Sequence, residues 1–225
     1  MKYLPFLIFI FLGLPVSNPV HAQIKENIAD LPVIFIPAKK KSGETMVFFI
    51  TGDGGWNAFS QKLGDQYASS GIPVVALNSL KYFWKKRTPE ETAQAVSDLL
   101  YQYSREWGKK NILLCGYSFG ADVMPFIFTR MPVDLKEKIS SIQLLSPSPY
   151  TDFEVHVSYL FMSKKFDVAS EVQKINKPIV CYYGAEEEKP LQSIAMNNFK
   201  LIILKGNHHY EDSFGEIVGT RLSAR

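Results

Sequence analysis

The stretch Asn111-Ile112-Leu113-Leu114-Cys115-Gly116-Tyr117-Ser118-Phe119-Gly120 decides how this chain is read. An apolar run of strand character, Asn111–Cys115, leads directly into Gly116-Tyr117-Ser118-Phe119-Gly120, a G-x-S-x-G pattern. The residues beyond it suit a helix that ends near Arg130, before Pro132. Alone the pattern is common by chance, but a strand before it and a helix after it are the context of a nucleophile elbow. The chemistry explains the glycines. The turn is so tight that side chains at positions 116 and 120 would collide with the neighbouring strand and helix. Such a turn lifts the Ser118 hydroxyl over the sheet edge and leaves the Phe119 N–H, at a helix start, placed to stabilise an oxyanion.

Working outward, short apolar, β-branched or aromatic runs recur at Val33–Ile36, Met46–Ile50, Pro73–Leu77, Ile142–Leu145, Pro178–Tyr183 and Leu201–Leu204. Runs without polar alternation suit strands buried on both faces of a parallel sheet. Helical signals fall between them. Phe59, Leu63 and Tyr67 share a four-residue spacing and Gly71 offers a stop. Thr88, Pro89 and Glu91 form an N-cap, a first-turn proline and a capping box. Ala95, Val96, Leu99, Leu100 and Tyr103 then line one face of a helix that ends near Trp107-Gly108. The rhythm predicts an α/β layer fold of the α/β-hydrolase kind, a mostly parallel sheet of about seven strands flanked by helices.

The first 22 residues read as a secretory signal peptide: Lys2, a short apolar core from Tyr3 to Pro15, and Val20-His21-Ala22 as cleavage site. The apolar run is too short to span a bilayer and is broken by Pro5, Gly13 and Pro15. The chain is therefore expected to be exported, with residues 23–225 forming a single α/β-hydrolase domain. The formal charge is +3, one unit of it from Lys2, and its even spread argues against nucleic-acid binding. Cys115 and Cys181 each sit inside a strand-like run and are expected to be buried thiols. No metal-ligand spacing occurs, and neither a metal nor an organic cofactor is expected.

A serine at its ordinary pKa needs a neighbouring base. Beyond the export segment the histidines are His156, His208 and His209. The pair follows the last predicted strand, where this kind of fold carries its base. His208, two residues after Gly206, is preferred, with His209 close behind; His156, in a Phe/Val/Tyr-rich stretch, reads as structural. The acid that orients the imidazole is expected after the strand Pro178–Tyr183, where counting from Gly184 selects Glu187 and leaves Glu186 and Glu188 solvated. Asp152 is the fallback acid. Thr51-Gly52-Asp53-Gly54-Gly55-Trp56 follows an early strand, and its N–H at Asp53 or Gly54 is the expected second oxyanion donor. Asp53 and Asp122 would hold a cationic group if both face the pocket; otherwise Asp122 is a solvated or helix-capping charge.

Several of these runs together resemble one family. Gly52-Asp53-Gly54-Gly55-Trp56, Asn78-Ser79-Leu80-Lys81-Tyr82-Phe83-Trp84 with Thr88-Pro89-Glu90, Gly116-Tyr117-Ser118-Phe119-Gly120-Ala121-Asp122-Val123, and His208-His209 are similar to the bacterial virulence proteins of the VirJ and AcvB type. The resemblance runs from about Thr45 to Tyr210. It implies a periplasmic serine hydrolase with Ser118 as nucleophile, one of His208 and His209 as base, and Asp53 and Asp122 as motif residues. AcvB-type members are lysyl-phosphatidylglycerol hydrolases, and VirJ is associated with type IV secretion. Two departures stand out. A cysteine expected soon after Gly184, able to pair with Cys181, is absent from Glu186–Met196, and an aspartate expected soon after Trp56 is replaced around Ala58-Phe59-Ser60.

The expected substrate is thus an aminoacylated phospholipid, or else another ester taken by a generic carboxylesterase or thioesterase. A third reading is an interaction protein of a secretion system built on a hydrolase scaffold. Tyr150–Phe166 is read as a lid or a core helix, and Trp84 beside Lys85-Lys86-Arg87 as a contact for anionic headgroups.

Overall fold

The computed structural model describes residues 28–41, 43–156, 165–210 and 213–220. The expected export segment lies outside them, as do residues 157–164 of the expected lid. Seven strands form the main sheet: β1 (Val33–Ile36), β2 (Thr45–Ile50), β3 (Val74–Leu77), β4 (Asn111–Tyr117), β5 (Ile139–Leu145), β8 (Ile179–Gly184) and β9 (Phe199–Leu204). Each apolar run singled out in the sequence is one of them. Their spatial order is β1-β3-β2-β4-β5-β8-β9, parallel throughout except that β1 runs antiparallel to β3 at the edge. A two-strand ribbon, β6 (Tyr150–Thr151) with β7 (Phe166–Asp167), stands apart. It is too short to leave an alternation in the sequence.

The central strands are apolar on both sides because both sides are covered: every residue of β3 and β8 is buried. One face carries α3 (Pro89–Glu106), α4 (Phe119–Arg130), α5 (Val133–Lys138) and α6 (Val168–Val172), packed on Phe48, Ile50, Leu114 and Leu144. The other carries α1 (Ala58–Ser69) and α7 (Phe214–Gly219), packed on Val47, Phe49, Cys115 and Tyr182. The short helix α2 (Ser79–Tyr82) follows β3. Gln143 of β5 ties the second layer together, since its amide meets Tyr67 of α1, Tyr182 of β8 at 3.1 Å and the Ile217 carbonyl of α7 at 2.8 Å.

The helix starts follow their sequence signals. Thr88 accepts the Glu91 N–H at 3.1 Å and Glu91 accepts the Thr88 N–H at 2.9 Å, the reciprocal capping box. Asn57 caps α1 by accepting the Ser60 N–H at 3.0 Å, and Gly71, at φ +83°, takes the chain out of it. Cys115 and Cys181 are both free and buried, as expected from their runs.

Because β2 to β9 of the main sheet run parallel, the loops that leave their C-terminal ends share one edge. The elbow is held there by contact. A Cβ on Gly116 would meet the Gly120 carbonyl carbon at 2.6 Å, and one on Gly120 would press on the Ile50 carbonyl oxygen and lie 2.6 Å from that of Thr51. All of these are backbone atoms and cannot swing away. Gly120→Ala is therefore expected to cost about 3 kcal/mol or more in urea unfolding. Gly219→Ala, where a Cβ enters open space, is the control and is expected to stay within about 0.5 kcal/mol of the parent.

Candidate active site

Ser118 sits between β4 and α4 with φ +51° and ψ −120°, a left-handed backbone that a side-chain-bearing residue adopts only where surrounding contacts enforce it. Here they do. The Ser118 N–H donates to the Leu145 carbonyl at 2.8 Å, and the Ser118 carbonyl accepts from Ala121 at 2.8 Å and Asp122 at 3.1 Å. Phe119 is the first residue of α4, so its N–H lies in the turn of a helix where backbone donors have no intrahelical acceptor. The β2–α1 loop closes the other side: a Cβ on Gly52 would stand 3.4 Å from Ser118 Cβ and 3.3 Å from the Tyr117 ring. In that loop the Gly54 N–H, a candidate oxyanion donor, is engaged by the carboxylate of its neighbour Asp53, whose Oδ1 accepts it at 2.8 Å.

Glu187 lies in the turn after β8 and His208 in the turn after β9, and the two meet. His208 Nδ1 is 2.7 Å from Glu187 Oε1. The other carboxylate oxygen, Oε2, accepts the Ser146 hydroxyl at 2.7 Å and the Gly184 N–H. The loops are pressed together as well, since a Cβ on Gly184 would fall 2.6 Å from the Gly206 carbonyl oxygen. Burial opposes ionisation of Glu187 and is the largest single influence, but its bonds to His208, Gly184 and Ser146, with the charge of His208, together hold the carboxyl below its ordinary value. With Nδ1 facing Glu187, the other ring nitrogen, Nε2, is the one that can face a hydroxyl. Tyr117, the residue before the serine, brings the imidazole to the elbow. Its hydroxyl donates to the His208 carbonyl at 3.2 Å and the two rings are 5.1 Å apart.

His209 takes a different place. Its Nδ1 is 3.0 Å from the Tyr117 hydroxyl and its ring lies 5.9 Å from Phe59 of α1, so the carboxylate goes to His208. Asp152, the fallback acid, is buried and pairs with His156 at 2.7 Å, away from the His208–Glu187 pair. Glu186 and Glu188 are exposed. Ser146 and Tyr210 were not singled out in the sequence. Ser146, also left-handed at φ +51°, follows β5, donates its N–H to the Tyr182 carbonyl and shares a hydroxyl contact with Tyr210. No local motif marks it; its position directly after a core strand, on the edge that carries Ser118, is the one available signal.

Asp122, one turn into α4, is 4% exposed and accepts the Ser148 N–H on Oδ1 at 2.6 Å. Burial raises its carboxyl to about 8, against the pull of the Ser148 bonds and with a further push from the charge of Asp53. A carboxyl so buried and shifted toward its neutral form is a weak counter-charge for an ammonium, and Asp122 is not the solvated charge of the other reading. It clasps the loop after β5 to α4. Asp53, by contrast, is partly exposed.

These two carboxyls are expected to act oppositely on stability. Between its ordinary 3.8 and about 8, Asp122 is ionised in the unfolded chain and protonated in the folded one, so stability falls as pH rises through that window. Asp122→Asn keeps the acceptor and should gain stability over the parent at pH 9, a gain that is absent at pH 4. Glu187, held below its ordinary 4.5, contributes stability above that value that is lost as pH falls through its folded value. Glu187→Gln should therefore cost most at neutral pH and least at pH 3. Urea midpoints across pH read both.

Comparison with known proteins gives the setting. The model of the bacterial virulence protein (VirJ) family matches residues 44–224. No protein of curated function matches the sequence. Among solved structures the chain is similar to Est1E from Butyrivibrio proteoclasticus (13% identity, TM-score 0.60, covering 83% of this chain and 89% of that one). It is also similar to MenH from S. aureus (15%, 0.60, 83% and 96%) and to a lipase-esterase related protein from Clostridium acetobutylicum (13%, 0.59, 84% and 97%). At such identities the likeness is one of fold, the α/β-hydrolase fold. With a family match over most of its length, the chain belongs to the VirJ family of bacterial virulence proteins.

Proposed function

We propose that this protein is a serine ester hydrolase of the periplasm, acting on lysyl-phosphatidylglycerol. The observation that supports the hydrolase reading is a serine on a left-handed turn, preceded by Tyr117 whose ring lies 5.1 Å from that of His208, an imidazole whose Nδ1 is 2.7 Å from a doubly anchored carboxylate. His208 Nε2 takes the proton of Ser118 as its oxygen attacks the ester carbonyl, and Glu187 stabilises the imidazolium that forms. The Phe119 N–H stabilises the tetrahedral oxyanion, with the Asp53 N–H as the second donor. Collapse of the tetrahedral species expels the alcohol, which receives the proton from His208. Water, deprotonated by the same imidazole, then releases the acyl group. The neighbours of similar fold include proteins described as an esterase and a lipase-esterase related protein, which supports an ester as the substrate class.

The lysyl group as the acyl part rests on the family resemblance and on Asp53, a carboxylate beside the elbow suited to a lysyl ammonium. A second reading is a carboxylesterase for an apolar acyl group, since the side chain after the serine, Phe119, belongs to an aromatic cluster of the core. Phe83 lies 5.0 Å from Phe119 and 5.9 Å from Phe153, and Phe166 lies 5.4 Å from both Phe153 and Phe126.

Purified protein is expected to release free lysine from lysyl-phosphatidylglycerol and Ser118→Ala is expected to release none. Turnover of simple esters alone would keep the hydrolase and discard the lipid, and silence toward both would favour a binding scaffold. If Asp53 receives the lysyl ammonium, Asp53→Asn should raise KM for that substrate about ten-fold. The same variant should leave KM for p-nitrophenyl acetate unchanged, and an equal loss on both substrates would remove Asp53 from recognition.

A further inference from the structure

The edge that carries Ser118 also carries an aromatic tip surrounded by cations. Trp84, just past α2, is 62% exposed, the most exposed aromatic side chain among the described residues. Lys81, Lys85 and Lys86 around it are exposed as well. The acid at the tip, Glu154, stands 3.9 Å from Lys86. Tyr150, 36% exposed, and Lys165, 5.2 Å from the Phe166 ring, belong to the neighbouring ribbon, where Tyr150 pairs with Asp167.

This tip is anchored from the side of the site. Phe83, next to Trp84, is fully buried and its ring lies 5.0 Å edge-on to Phe119, the residue after the serine. Val155 donates its N–H to the Phe83 carbonyl and Arg87 donates its N–H to the Phe153 carbonyl, each at 2.8 Å, so the loop is stitched to the segment after β6. The Arg87 guanidinium lies 4.7 Å over the Tyr82 ring. On the other side, the Ser79 hydroxyl at the start of α2 bonds Thr51, directly before the glycine loop. Among the described residues nothing buries the indole at the end of this anchor, although burial of that ring is the state its chemistry favours.

We propose that Trp84 with Lys81, Lys85 and Lys86 docks this protein on the surface of an anionic phospholipid bilayer, presenting the Ser118 edge to the headgroups. Indole rings settle at the level of the headgroups, and lysines add attraction to negative lipid within about one Debye length. The occupant follows from the sign of the tip: cations framing an apolar ring match a surface that is anionic outside and apolar beneath. The inference does not depend on which ester the serine cleaves.

The test is flotation of Ser118→Ala protein with vesicles of phosphatidylglycerol and phosphatidylcholine at 3:7, against phosphatidylcholine alone. The serine is removed so that the lipid stays intact. Binding to the anionic vesicles, weakened by salt, is expected. It should fall by about five-fold for each of Lys81→Gln, Lys85→Gln and Lys86→Gln, and further for Trp84→Ala. These are exposed side chains, and wild-type protein carrying Trp84→Ala should turn over p-nitrophenyl acetate as the parent does. No binding to the anionic vesicles, binding that ignores lipid charge, or lysine and tryptophan variants that bind like the parent would each overturn the proposal. Failure of every ester assay would sink the hydrolase and leave the flotation result standing.

Discussion

The closest approach in the active edge is between two pieces of backbone, the first turn of α4 and the end of β2. Gly120 rests so near the Ile50 and Thr51 carbonyls that a methyl group cannot enter. That contact fixes where α4 begins, and the start of α4 fixes the direction in which Ser118 leaves the sheet. It also draws the glycine loop after β2 to within van der Waals reach of the serine. A left-handed serine and an unpaired first-turn N–H are stable only where packing over-determines them, and this contact supplies part of that packing.

From this contact the edge is assembled by loops that hold one another. Glu187 binds His208 with one oxygen and Ser146 and Gly184 with the other, joining the ends of β5, β8 and β9 through a single carboxylate. Asp122 joins α4 to the loop after β5 through the Ser148 N–H. Two carboxyls in one small region thus reach opposite states. Glu187 has three hydrogen-bond donors and stays charged; Asp122 has burial and a nearby negative charge and stays neutral.

Much of this was legible in the sequence, for reasons that can be named. The sheet was legible because strands covered on both faces must be apolar throughout, and α3 because its capping box is written in three residues. Counting from Gly184 reached Glu187 because a turn after a buried strand has little freedom. The remainder depends on distance in space. Nothing near Asp122 says that it will be sealed under Ser148, and nothing near Gly54 says that Asp53 will claim its N–H. The choice between His208 and His209 turns on Tyr117, whose hydroxyl lies 3.0 Å from His209 Nδ1 while Glu187 meets the other ring. Helices α2, α5 and α6 are too short to build a periodic face.

The two cysteines carry one more consequence. Cys115 belongs to the layer that packs on α1 and α7, Cys181 to the layer that packs on α3 and α4, and β5 lies between their strands. A sheet therefore separates the sulfurs, and burial pushes the Cys115 thiol up to about 12 and the Cys181 thiol higher still. Thiols in that state are poor nucleophiles and poor targets for oxidants. The fold thus rests on no cross-link between them: both thiols are free, and a reductant has nothing to remove.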